Sequence, residues 1–251
     1  MAKIISIHSF RGGTGKSNIA ANVATLLAAE GRRVGVIDTD IQSPGIHVLF
    51  GLAGQEIGQA LNDYLWGRCE IERAARDVTP NLGAGLPGRV FLIPSSIKPG
   101  EITRVLREGY DAQVLTRGLR SLIEALKLDV LLIDTHPGLN EETLLSIVVS
   151  HVLAVILRPD QQDYEGTGVT VEVARQLKVP HLVLIVNKVP AVFDAAGVKA
   201  KVEQVYQCPV AAVLPHSDEV MALASAGIFA LRYPDHPVTA ALRRIAASLM
   251  G

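Results

Sequence analysis

An excess of charge of either sign is missing from this sequence: across 251 residues, 24 lysines and arginines stand against 25 aspartates and glutamates. A near-neutral chain has no global field to draw it toward nucleic acid or an anionic membrane. Cysteine is almost absent. Cys69 and Cys208 lie far apart and form neither a disulfide framework nor a C-x-x-C ligand pair, so a reducing cytoplasm is the expected compartment. No apolar run is long enough to span a bilayer, and no charged segment followed by an apolar core opens the chain, which again predicts a cytosolic protein. Internal repeats, low-complexity tracts and heptad seams are lacking too. Nothing in the composition requires a second domain, and residues 1–251 suit one large α/β domain.

What the chain does have is a recurring short run of valine, isoleucine and leucine, at residues 4–8, 34–38, 90–94, 130–134, 152–157, 182–187 and 210–214. Continuous apolar runs of this length read as strands buried on both faces of a parallel sheet. Segments of helical period separate most of them. Ile19, Val23, Leu26 and Leu27 mark one face of a helix beginning near Lys16 and stopped by Gly31, and further helices are expected at 116–127, 141–149, 164–177, 197–206, 218–226 and 238–250. The alternation predicts a doubly wound, mostly parallel sheet with helices on both faces and a ligand outside the carboxyl ends of the strands. Residues 83–88, with Gly83, Gly85, Pro87 and Gly88, read as a surface turn, and residues 55–79 as short helices outside the sheet.

The most informative segment is Arg11-Gly12-Gly13-Thr14-Gly15-Lys16-Ser17, between the first strand and the first helix. Glycines at 12, 13 and 15 let backbone N–H groups converge on an anion, and the helix that follows adds its positive end. Gly12 to Asn18 would form the cradle, with Lys16 on the β- and γ-phosphates and the Ser17 hydroxyl on Mg²⁺. A glycine-rich turn without a ligand would explain the glycines, but not Lys-Ser at the start of the helix. A strict phosphate loop carries glycine at position 10; this chain has Phe10.

The segment resembles the deviant phosphate loop, K-G-G-x-G-K-[ST], of the MinD/ParA family of ATPases, with Arg11 where the family has a signature lysine that reaches the partner subunit's nucleotide. Arginine keeps the charge but presents a planar fork, and the two are not interchangeable. Asp38-Thr39-Asp40-Ile41-Gln42-Ser43-Pro44 resembles the family's first switch, with Ile41 in place of proline. The resemblance implies that Asp40 positions the attacking water and Asp38 serves Mg²⁺ from the outer sphere; a polar strand end is the plainer reading of the same residues. Val130-Leu131-Leu132-Ile133-Asp134 has the form of a Walker B strand, with Asp134 holding Mg²⁺ through water. The continuation Thr135-His136-Pro137-Gly138 resembles the second switch, where Gly138 would bring an N–H to the γ-phosphate. His136 is weak as a general base, because phosphoryl transfer needs positioning more than proton abstraction. Asn187 corresponds to an amide that reads the adenine edge, and Leu214-Pro215-His216-Ser217-Asp218 to the loop over the base, with Ser217 or Asp218 as a helix N-cap.

Taken over the chain, the resemblance is strongest at 3–52, 129–139 and 182–218 and weakest at 55–125. It implies ATP/ADP and Mg²⁺ as ligands, an ATP-dependent homodimer, slow hydrolysis and a protein activator or adaptor, in a switch that positions or assembles a cellular structure. Arg158, after the strand at 152–157, could bridge such a dimer or pair with a local acid. Arginine pairs at 104 and 107, 117 and 120, and 243 and 244 could face DNA or an acidic partner, although solvated helix faces explain them better. The last residues, 242–251, carry few apolar anchors, no Phe or Trp and only two cations; they are expected to pack on the domain rather than on a membrane. Rival readings are an ATP-dependent ligase of the dethiobiotin synthetase or cobyrinate amide synthase type and an ATP-binding scaffold with little turnover. An iron–sulfur carrier ranks below these, for want of paired cysteines.

Overall fold

A computed structural model of the protein describes residues 2–52 and 57–251. In chain order it comprises β1 (Lys3–His8), α1 (Lys16–Ala29), β2 (Arg33–Asp38), α2 (Ile46–Leu49), α3 (Leu61–Leu65), α4 (Ile71–Ala74), β3 (Arg76–Asp77), β4 (Arg89–Ile93), α5 (Pro99–Glu108), α6 (Ala112–Leu126), β5 (Val130–Asp134), α7 (Glu141–Val148), β6 (Val152–Leu157), α8 (Gln161–Gln176), β7 (His181–Val189), α9 (Ala195–Tyr206), β8 (Val210–Pro215), α10 (Asp218–Leu223), α11 (Phe229–Arg232) and α12 (Pro237–Met250). The strands form one eight-stranded sheet in the order β3-β4-β2-β5-β1-β6-β7-β8. All neighbours run parallel except β3, which is antiparallel to β4.

The seven apolar runs of the sequence are the seven parallel strands, and their residues are buried on alternate faces. Ile5, Ile7, Val34, Val36, Val130 and Leu132 pack with α1 and α12 on one face. Ile4, Ile37, Leu131 and Ile133 pack with α6 on the other, where Leu153, Val155 and Leu184 meet α8 and α9 further along. Burying both faces of such strands is what removes any polar alternation from the sequence. In α12, Leu242, Ile245, Ala246 and Leu249 are buried, so the tail packs on the domain as expected. Among the described residues no helix is long and apolar enough to cross a membrane.

One expectation needs correction. Of the stretch 55–79, residues 55 and 56 lie outside the described residues, and α3 and α4 do stand off the sheet, but Arg76 and Asp77 pair with Leu92 and Phe91 as an edge strand. A two-residue strand is too short for alternation to reveal it. The helix expected at 116–127 begins earlier, at Ala112, because the Asp111 carboxylate caps it by accepting a hydrogen bond from the Gln113 N–H (2.7 Å). Helix α5, ahead of it, is an amphipathic segment that opens on Pro99.

The parallel strands put the ends of β1, β2, β5, β6, β7 and β8 along one edge. In register, Asp134 of β5 lies beside Asp38 of β2 on one side and Ile7 of β1 on the other. Two carboxylates thereby flank the loop that leaves β1.

Candidate functional site

The loop from Ser9 to Gly15 is built on two left-handed glycines, Gly13 at φ 76° and Gly15 at φ 99°, where a side chain would be strained. Gly15 caps α1 without any side-chain hydrogen bond, so the first turn of the helix keeps free N–H groups for an anion. Lys16, the first residue of α1, is buried to 7% exposure. A buried ammonium calls for a counter-charge.

Asp38 and Asp134 are each 1% exposed, and Asp38 Oδ2 and Asp134 Oδ1 have no hydrogen-bond partner. The other Asp38 oxygen accepts from the Asp40 N–H at 3.0 Å. Burial pushes the Asp134 carboxyl up to about 6, against the pull of the Ser17 hydroxyl and the Lys16 ammonium. Burial also raises Asp38 well above the ordinary carboxylate range, aided by the charges of Asp134 and Asp40. Two buried carboxylates with bare oxygens beside a serine hydroxyl form a hard-oxygen donor set short of a cation, and Mg²⁺ fits it. No group of three or more His, Cys, Asp or Glu suited to a metal occurs among the described residues. Magnesium at a phosphate site needs no such cage, since phosphate and water supply most of its ligands.

The two switch segments touch. His136 Nδ1 lies 2.6 Å from Asp40 Oδ1, so the histidine that is a poor candidate for a base sits against the proposed water-positioning carboxylate. Gly138, at φ 85°, donates its N–H to the Ser9 carbonyl (3.2 Å), a bond that must open before this amide can reach a phosphate.

A cavity of about 440 Å³ is lined by Gly12, Gly13, Lys16, Ser17, Asp40 and His136. A second, of about 290 Å³, lies between Asn187, Pro215, Met221 and Phe229. Gly15, Asn18 and Ser225 line both, which joins an apolar slot to a polar basin in the manner of a base and its phosphates. Asn187 donates from Nδ2 to the Thr14 carbonyl (2.8 Å) and accepts the Lys188 N–H at Oδ1 (2.9 Å). One N–H and one lone pair of that amide stay free to meet a base edge. The Ser217 hydroxyl caps α10 by accepting from the Val220 N–H.

Arg11 points to acids of its own chain, Asp160 at 3.5 Å and Asp163 at 3.6 Å. Arg158 shares them, donating from its backbone N–H and from Nε to Asp163 at 2.9 Å and lying 3.2 Å from Asp160. Local pairing is thus what this structure gives for both arginines. Three neighbours of the site escape sequence reasoning: Asp163, Gly166 and Lys188. Only Gly166 carries a signal, a glycine inside a helix.

Residues 1–250 match the ParA family model, described as NUBPL iron-transfer P-loop NTPase. The chain belongs to the ParA family of P-loop ATPases. This ParA-family chain is 32% identical to an uncharacterized ATP-binding protein of Methanocaldococcus jannaschii, over 100% of its own length and 89% of the relative's. It is 27% identical to an iron-sulfur cluster carrier protein of Pyrococcus furiosus, over 73% of this chain and 60% of that one. To the flagellum site-determining protein YlxH of Helicobacter pylori it is 30% identical, over 74% of this chain and 58% of that one. The last two matches thus span under two thirds of those proteins. Among solved structures, the septum site-determining protein MinD with Mg-ADP from Pyrococcus horikoshii superposes with a TM-score of 0.82 at 22% identity, covering 99% and 96% of the two chains. At that identity the likeness establishes the fold.

Proposed function

We propose that this chain binds Mg·ATP as a single domain, hydrolyses it slowly, and works as a nucleotide-switched homodimer that positions or assembles a cellular structure. The observation that carries the nucleotide reading is the pair of bare carboxylate oxygens on Asp38 and Asp134 beside a glycine loop whose lysine is already buried. Gly12 to Asn18 would cradle the phosphates, with Lys16 against the β- and γ-phosphates. Ser17, Asp38 and Asp134 would hold the metal, directly or through water. Bound there, magnesium would neutralise charge on the phosphate oxygens. Asp40 would orient the attacking water, Gly138 would approach the γ-phosphate once freed from Ser9, and Asn187 and Pro215 would border the base.

Positioning is favoured over iron–sulfur transfer by the cysteines. Cys208 is buried and its thiol is pushed up to about 11 by burial, while burial also raises the partly exposed Cys69. Cys69 stands between α3 and α4 and Cys208 between α9 and β8, so one chain offers no pair of thiols to hold a cluster. A ligase would need a substrate-binding set beside the phosphate end, and the ionisable pair there, Asp40 and His136, is engaged with itself. The test is calorimetric titration with Mg·ATP together with phosphate release. Lys16→Ala should abolish binding, whereas Asp40→Ala should keep binding and lose turnover. Equal affinity of the wild type and Lys16→Ala would remove the central claim, and undiminished release by Asp40→Ala would move the water-positioning role elsewhere.

A further inference from the structure

The tip of β7 departs from regular strand geometry just where it meets the phosphate loop. Val186 pairs with Val213 and Val189 with Pro215, so Asn187 and Lys188 together face the single residue Leu214 on β8. This is a bulge, the device by which a strand re-aims side chains. Lys188 takes a left-handed φ of 58°, rare for a residue with a side chain. The strained tip delivers two bonds to the loop: Lys188 Nζ donates to the Gly13 carbonyl at 2.9 Å, and Asn187 Nδ2 to the Thr14 carbonyl at 2.8 Å. Contact is close, since a Cβ at Gly15 would lie 2.6 Å from Asn187 Nδ2.

We propose that Lys188 and Asn187 are positioning residues for the nucleotide, a clamp that holds two loop carbonyls on the β7 side and so aims the loop's N–H groups at the phosphates. The geometry follows from the peptide bond. In a trans peptide the C=O and the next residue's N–H point in opposite directions. Holding the carbonyls of Gly13 and Thr14 toward β7 therefore turns the N–H groups of Thr14 and Gly15 away from it, toward the hollow of the loop. Without the clamp, left-handed glycines leave those peptide planes free to rotate. Lys188 also lines the apolar slot, so one residue borders that cavity and bonds to the phosphate loop.

The functional consequence rests on the nucleotide-binding reading; the clamp itself can be measured without any ligand. Lys188→Met keeps the unbranched stem and removes the ammonium. In ligand-free protein, the ¹⁵N order parameter of the Thr14 amide, whose peptide carbonyl Lys188 holds, should fall from about 0.85 toward about 0.6 in the variant, and that of the Gly15 amide, held through Asn187, should fall likewise in Asn187→Ala. Calorimetry of Lys188→Met should show Mg·ATP and inorganic tripolyphosphate both bound about tenfold more weakly, the scale of one lost charge-assisted contact. Lys188→Arg should recover most of both signals. An unchanged Thr14 order parameter in Lys188→Met would overturn the clamp, and a changed one with unchanged tripolyphosphate affinity would overturn its positioning role. Should the wild type bind neither ligand, the nucleotide reading fails and the relaxation comparison alone decides whether the clamp exists.

Discussion

His8 ends β1 with no exposed surface, and its protonation state is set by its neighbours. The Thr135 hydroxyl donates to the Ile7 carbonyl at 3.1 Å and lies 2.8 Å from His8 Nδ1. Nε2, the other ring nitrogen, is buried without a hydrogen-bond partner. Charging the ring would place a cation in the interior beside Lys16; burial first, then Lys16 and His136, lowers the pKa from 6.5 to about 3. A basic group with a depressed folded pKa contributes stability that is present above its unfolded pKa and is lost as pH falls toward the folded one. The wild type should accordingly lose about 2 kcal/mol more stability between pH 7 and pH 5 than His8→Asn, which keeps a hydrogen-bonding group but does not titrate there. Urea unfolding of both proteins at fixed pH values measures the difference, and parallel stability curves would show that His8 is not the group responsible.

At the scale of elements, the loop and α8 are fitted to one another. Phe10 stands where a strict phosphate loop has glycine, and its side chain occupies the place a Cβ would take at Gly166 in the middle of α8. A mid-helix glycine costs about 0.5–1 kcal/mol relative to alanine, so helix propensity alone favours Gly166→Ala. The expected outcome is the reverse. Even the Phe10 Cβ lies 2.8 Å from the added methyl, so turning the ring cannot relieve the clash and the start of the loop must shift. Gly166→Ala should destabilise by about 1–3 kcal/mol and weaken Mg·ATP binding, and adding Phe10→Gly, which removes the Cβ as well as the ring, should recover part of the stability. Thermal unfolding and titration of the single and double variants check this; a Gly166→Ala protein more stable than wild type would sink it. The same pairing shows what was legible in the sequence. The parallel strands could be read because burial on both faces writes itself as unbroken apolar runs, and the loop could be read because its glycines and Lys16 sit at fixed spacing. The contacts of Gly166, Asp163 and Lys188 with that loop were not, since each is brought to it by tertiary folding and belongs to no local pattern. The edge strand at Arg76 and Asp77 was too short to leave one.

At the scale of the whole molecule, the question is whether a near-neutral chain can still present a cation to a second copy. In the dimer proposed above Arg11 would be that cation, and in the single chain it rests 3.5 and 3.6 Å from Asp160 and Asp163 with 40% of its side chain exposed. Exposed ion pairs contribute about 0–1 kcal/mol, so little holds it there. Asp163 is 2% exposed, yet losing Arg11 would not strand its charge, because Arg158 Nε and the Arg158 backbone N–H already meet that carboxylate at 2.9 Å. Arg11 is thus the dispensable member of a satisfied cluster, and a charge-assisted contact with a partner's phosphates would outweigh what it leaves. Association should then depend on ATP rather than ADP. Arg11→Ala should bind nucleotide as a monomer but dimerise weakly, and Arg11→Lys should recover only part of the association, since a point charge does not reproduce a planar fork. Sedimentation of the three proteins with ADP and with a non-hydrolysable ATP analogue separates this from a role confined to one chain. Dimerisation of Arg11→Ala as strong as that of the wild type would assign the bridge to another residue, with Arg158 the next to test.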